Sequence, residues 1–143
     1  MKIGISYDHN GYEVGQQLKK YLTNKGYEVV DYNNVYNKDD DYPVEALKLC
    51  NDIKLFDFGV LICGSGVGMS MIANKVKNIR CARVVNKEEA IETRLHQNAN
   101  VIALSSKTPN IEEVLDAFIN TEYIYEERHQ RRIDQIKSYE NME

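Results

Sequence analysis

Apolar runs and helical spacings alternate five times along this chain. Lys2–Tyr7 is a short run of β type, broken by Asp8-His9-Asn10-Gly11. From Tyr12 to Lys25 the residues Val14, Leu18, Tyr21 and Leu22 recur with the period of a helix, and Gly26 is a good stop. Tyr27–Asp31 predicts a second strand, and the acidic, asparagine-rich stretch from Asn33 to Tyr42 a loop. Pro43 suits a helix start and opens a helix over Val44–Ile53. Asp57–Cys63 predicts a third strand and Gly68–Lys75 a third helix. Arg80–Val85 follows as a fourth strand, and Asn86 caps a helix over Lys87–Gln97 whose first turn is acidic. Val101–Leu104 is the fifth strand, Ser105–Asn110 a loop, Ile111–Asn120 a helix and Thr121–Tyr125 a connector. A highly charged last helix covers Glu126–Tyr139.

Such alternation implies right-handed crossovers, hence a three-layer α/β/α sandwich around a five-stranded parallel sheet, a Rossmann-like architecture. Val60-Leu61-Ile62 and Val101-Ile102-Ala103-Leu104 are apolar without alternation, as strands covered on both faces should be. A length of 143 residues fits one domain spanning residues 1–143. Ligands of open parallel sheets sit beyond the carboxyl ends of the strands. Asp8 and His9 follow the first strand and Cys63 ends the third, so all three are expected at one crevice.

Charge and composition narrow the function. A net charge of -4 argues against a general nucleic-acid binder, because no basic excess exists to neutralise a phosphate backbone. No apolar run approaches the roughly 18 residues of a membrane span, and Lys2-Ile3-Gly4-Ile5 does not read as a signal peptide. Cys50, Cys63 and Cys81 are widely spaced and odd in number, which suits reduced thiols in a cytoplasm.

The most informative stretch is Cys63-Gly64-Ser65-Gly66-Val67-Gly68. It is neither a dinucleotide fingerprint nor a phosphate-binding Walker loop. It reads either as a tight strand-to-helix connection or as a cradle of backbone N–H groups for an anion, and three glycines in five residues favour the cradle. A thiol beside such a cradle can serve as a base or a nucleophile, whereas Cys50 and Cys81 read as core. Asp8-His9 is either a capped turn or part of a site. His96, in Arg94-Leu95-His96-Gln97-Asn98, either complements a helix dipole or takes part in catalysis. Arg128 and Arg132, four apart in Arg128-His129-Gln130-Arg131-Arg132, either pair with Glu126 and Glu127 or form a phosphate clamp. A tail helix reaches a neighbour's crevice more easily than its own.

Taken in order, Asp8-His9, Asp41-Tyr42-Pro43, Cys63 to Gly68, Ala73-Asn74-Lys75, His96 with Asn100-Val101, and Arg128-His129-Gln130 with Arg132 resemble the ribose-5-phosphate isomerase B / galactose-6-phosphate isomerase family. The resemblance implies an aldose–ketose isomerase that uses neither metal nor cofactor. It implies that Cys63 moves a proton between C2 and C1 of an opened sugar phosphate, and that the amides of Gly64, Gly66, Val67 and Gly68 hold the enediolate. Ser65 would relay a proton between O1 and O2, and His96 would open the ring, a task suited to an imidazole. Asp8 would hold ring or chain hydroxyls, Tyr42 would line the pocket, and His9, Arg128 and Arg132 would grip the phosphate. The family implies a homodimer or a dimer of dimers, with the connector and helix of residues 120–143 exchanged so that the arginines serve the partner's site. Ribose 5-phosphate is the expected substrate. Galactose or allose 6-phosphate, or a non-catalytic sugar-phosphate-binding subunit, are the alternatives. Gln97 stands where the family usually has Asn, and Ser105-Ser106 replaces a glycine-containing turn.

Overall fold

The computed structural model describes residues 1–142. The strands are β1 (Lys2–Tyr7), β2 (Glu28–Asp31), β3 (Phe58–Cys63), β4 (Cys81–Arg83) and β5 (Val101–Ser105). The α-helices are α1 (Tyr12–Asn24), α2 (Tyr42–Cys50), α3 (Val67–Ala73), α4 (Lys87–Gln97), α5 (Ile111–Asn120) and α6 (Glu127–Glu140). All strand pairs are parallel, in the order β2-β1-β3-β5-β4. No helix among the described residues is long and apolar enough to cross a membrane.

Right-handed crossovers fix which face each helix covers. The chain moves one way across the sheet from β1 to β2 and from β4 to β5, and the other way from β2 to β3 and from β3 to β4. The first set of connections and α5 lie on one face, the second set on the opposite face. The two cores follow. Ile3, Ile5, Tyr7, Val60, Ile62, Ile102 and Leu104 meet Leu18, Leu22, Ala90, Leu115 and Phe118 on the side of α1, α4 and α5. Leu61, Cys63, Val101 and Ala103 meet Ala46, Leu49, Met69 and Ala73 on the side of α2 and α3. Strict alternation along β3 thus sends Cys63 to the second face.

Local differences from the sequence pattern have plain causes. Residues His9–Gly11 form a 3-10 turn, with the Asp8 carboxylate accepting the Gly11 N–H at 3.0 Å. α2 begins at Tyr42, one residue before Pro43, since Pro needs no N–H in a first turn. β4 is only Cys81–Arg83, an edge strand with a single partner, shorter than its apolar run suggests. Phe118 is fully buried, its ring edge-on to Phe58 at 5.2 Å. Phe118→Ala should therefore cost about 3–5 kcal/mol in urea unfolding with an unchanged m-value; a loss below 1 kcal/mol would contradict this packing.

Candidate active site

β1, β3 and β5 end side by side, but their chains depart to different faces: β1 and β5 lead towards α1 and α5, β3 towards α3. The splayed loops leave a hollow of about 810 Å³ lined by Asp8, Asn10, Tyr42, Cys63, Gly64, Ser65, Val67, Gly68, Met71, Ser106 and Lys107. It lies at the topological switch point, where ligands of open α/β sheets bind. Of the residues singled out from sequence, Asp8, Tyr42, Cys63, Gly64, Ser65, Val67 and Gly68 come together here.

Cys63 is only 5% exposed, yet it reaches this hollow. Its Sγ accepts the Gly66 N–H at 3.1 Å. Gly66 can aim that N–H because it sits in the left-handed region at φ 77°, and a Cβ there would come within 2.9 Å of the Leu104 carbonyl carbon. Ser65 is held from two sides. Its Oγ accepts the Val67 N–H at 3.2 Å, and its carbonyl accepts Nε of Arg83 at 3.1 Å. Two amides of the expected cradle are thus engaged with the sulfur and hydroxyl that flank it. Gly68 is required for another reason: a Cβ there would lie 2.5 Å from the Tyr42 ring. That close approach brings the tyrosine over the start of α3.

Asp8 closes the other side. Its backbone N–H donates to the Ile62 carbonyl at 3.3 Å, tying the end of β1 to the end of β3. Burial, opposed by the Gly11 N–H, raises its carboxyl above the usual range. His9 turns into an adjoining hollow of about 550 Å³ that shares Asn10 and Ser106 with the first. Asp8, His9 and Asp40 bring ligand-type atoms within 4.8 Å of one another. Within this group His9 Nδ1 is already bonded to Asp40 at 2.7 Å, and the Asp8 carboxylate accepts the Gly11 N–H at 3.0 Å.

His96, Gln97, Arg128 and Arg132 form a second group, apart from the first. α4 starts beyond β4 and returns to the amino edge of the sheet, so its last residues lie across the sheet from Cys63. His96 stacks on His129 of α6 with ring centres 4.5 Å apart. His129 is buried; its Nε2 lies 3.4 Å from Glu126 Oε2 without hydrogen-bond geometry. Burial, with His96 and Arg128 adding to it, pushes the His129 imidazole below its ordinary value and so favours its neutral form. Arg131 pairs with Glu127 at 2.8 Å, while Arg128 and Arg132 are exposed and make no salt bridge among the described residues.

Two arginines that the sequence reading passed over fix this group. Arg80 donates to the Gln97 and Asn98 carbonyls, and buried Arg94 to the carbonyls of Ala99 and Thr121. Arg94 also lies over the rings of Phe58 and Phe118. Guanidinium charge at a helix C-terminus complements the dipole and ties down the turn carrying His96. Asn10, Ser106 and Lys107 were also missed. Their signal was positional, since each follows a strand's carboxyl end.

The fold and the site define a Rossmann-like protein with a thiol-bearing, small-ligand hollow at the switch point of its sheet. The sequence pattern of the ribose/galactose isomerase family matches residues 3–136, and the chain belongs to that family. It is 34% identical to ribose-5-phosphate isomerase B of Mycobacterium tuberculosis, over 98% of this chain and 90% of that one. Two solved structures are similar throughout. Ribose-5-phosphate isomerase B of Clostridium thermocellum superposes with a TM-score of 0.93 at 36% identity, covering 98% of this chain and 97% of that one. The Mycoplasma genitalium enzyme, with bound ribulose-5-phosphate, gives 0.92 at 39% identity, covering 99% and 97%.

The left-handed Gly66 carries a direct test. Gly66→Ala should destabilise the protein by about 2 kcal/mol, from the left-handed backbone and the crowded Cβ. It should also lower activity at least tenfold by turning the amide away from Cys63. A variant with unchanged stability would disprove the strained turn.

Proposed function

We propose that this chain is an aldose–ketose isomerase, needing neither metal nor cofactor, that interconverts ribose 5-phosphate and ribulose 5-phosphate. One observation carries the reading: a thiol held by a backbone amide at the mouth of a small polar hollow, in a chain so like a protein that binds ribulose-5-phosphate. With the sugar opened, the Cys63 sulfur takes the proton from C2. The electron pair left behind forms the C1–C2 double bond, and the carbonyl oxygen at C1 becomes the enediolate oxygen. The Ser65 hydroxyl passes the O2 proton to O1, and the new Sγ–H returns its proton to C1, which leaves a ketone at C2. Charge builds only in the enediolate, so donors fixed beforehand contribute most; one such donor is typically worth about 3–4 kcal/mol. The Gly64–Gly68 turn beside the sulfur supplies the backbone donors for that charge, with the Gly66 and Val67 amides holding Cys63 and Ser65 in place, while Asp8 holds the chain hydroxyls and Tyr42 lines the pocket.

The separation of the two residue groups supports a shared site. No movement within one chain brings the far end of α4 across the sheet to Cys63. A second copy, related by a two-fold axis, can present His96, Gln97, Arg128 and Arg132 to this hollow and receive the same service in return. His96 then opens the ring, Gln97 faces the reactive end, and the arginines grip the phosphate with His9. The three free thiols support a reducing, cytoplasmic setting.

Cys63→Ala and His96→Asn should each abolish isomerisation of ribose 5-phosphate. Mixed after denaturation and refolding, the two inactive variants should recover about a quarter of wild-type activity, because half of the random dimers carry one intact site. No recovery would refute the shared site. Turnover by Cys63→Ala would refute the base. Faster turnover of galactose or allose 6-phosphate than of ribose 5-phosphate would reassign the substrate.

A further inference from the structure

The loop between β2 and α2 carries a residue that neither the motif set nor the isomerase chemistry uses. Asp40 reaches back to His9. One oxygen, Oδ1, accepts both the His9 backbone N–H at 2.9 Å and the ring Nδ1 at 2.7 Å. The Asp40 side chain is only 3% exposed. Its other oxygen faces the Asn33 amide at 3.4 Å, and Asn33 in turn donates to the Tyr7 carbonyl at the end of β1. The carboxylate is therefore anchored before it meets the imidazole.

We infer that Asp40 is a positioning residue for substrate binding: it orients the His9 ring and backs it with a buried carboxylate, so that Nε2–H is offered to the phosphate end of the substrate. This deepens the function proposed above and rests on it. Two contacts to one oxygen fix both the ring plane and the tautomer, since Nδ1 must carry the proton it donates. Nε2 has no partner among the described residues, and the ring lines the hollow that adjoins the one holding Cys63.

The charge matters because the surroundings are acidic. Asp8 adjoins His9, Glu13 and Tyr12 face the same hollow from α1, and Tyr36 faces it from the loop. Lys107, after β5, is the cation lining the neighbouring hollow. A phosphate entering beside neutral His9 would meet Asp8, Asp40 and Glu13 with little of this chain's own charge to offset them. The hydrogen bond that His9 donates to Asp40 raises the ring above an ordinary imidazole; burial opposes this, and the charges of Asp8 and Asp40 each add a smaller raising effect. The sign follows. The grip is complete below the ordinary histidine range and persists above it. It is lost as pH rises through the raised value.

Asp40→Asn in the full chain tests this, because the amide keeps an acceptor for the His9 N–H but carries no charge. The three histidines of the chain make the His9 ring signal assignable by NMR. Its titration midpoint should fall towards the ordinary range in the variant. With ribose 5-phosphate at pH 7.5, KM should rise roughly tenfold while kcat stays within about twofold. The gap in KM should narrow at pH 6, where His9 is charged in both proteins. Asp40→Glu should recover part of the lost affinity. An unchanged His9 midpoint, or an unchanged KM at both pH values, overturns the inference, even if the variant melts at a lower temperature. Inorganic phosphate, titrated against the His9 signal, separates this inference from the isomerase reading. Weaker phosphate binding by Asp40→Asn supports Asp40 even if the wild type turns over no pentose phosphate. Equal binding by the two proteins overturns it.

Discussion

The bond from the Gly66 amide to the Cys63 sulfur depends on where β3 stops. Were the cysteine one residue earlier or later along the strand, the alternation of side chains would turn the thiol to the other face of the sheet. As it stands, Cys63 points to the α2 and α3 side while β1 and β5 send their chains the other way. The gap between those departures is the hollow. The left-handed turn at Gly66 then folds the backbone over the sulfur, and the bulk of Tyr42 fits only because residue 68 has no side chain. Sheet topology, strand register and two glycines act here as one constraint.

Around that point the protein separates rigid from exposed chemistry. Asp8 and Cys63 are nearly buried and held by backbone hydrogen bonds. Tyr42, Ser65 and Lys107 lie on the open side, where a substrate can reach them. The same division recurs at the far end of α4. Arg80 and Arg94 lock the helix terminus, His129 stacks beneath His96, and Arg128 and Arg132 stay exposed. Cations that make no salt bridge among the described residues suit a site completed across a two-fold axis.

An acidic protein that binds an anion must place its positive charge carefully. The net charge of -4 gives no general attraction for a sugar phosphate. Binding must come from a few cations at short range. The His9–Asp40 pair shows the principle at its smallest scale: a buried carboxylate, unfavourable alone, becomes useful when it stabilises the charged form of an imidazole beside it.

The alternation of apolar strands and helical spacings was enough to establish the parallel α/β sandwich, because each signal is local and repeats with its own period. Cys63 in its glycine turn, with Asp8 at the neighbouring strand end, was legible for the same reason: strand ends are read from the chain itself. The order β2-β1-β3-β5-β4, with β5 inserted between β3 and β4, was not legible, since the sequence of elements does not say which strands become neighbours. Nor was Asp40, one acid among several in a polar loop, whose meaning arises only when the loop folds back on His9. The ordered motifs did point to His96, and to Arg128 as a residue for a neighbour's crevice, but not to the separation of His96 from Cys63. Residues near in sequence are fixed by covalent geometry and hydrophobic period. Those joined or parted by crossovers are fixed only when the sheet assembles and its two faces are filled.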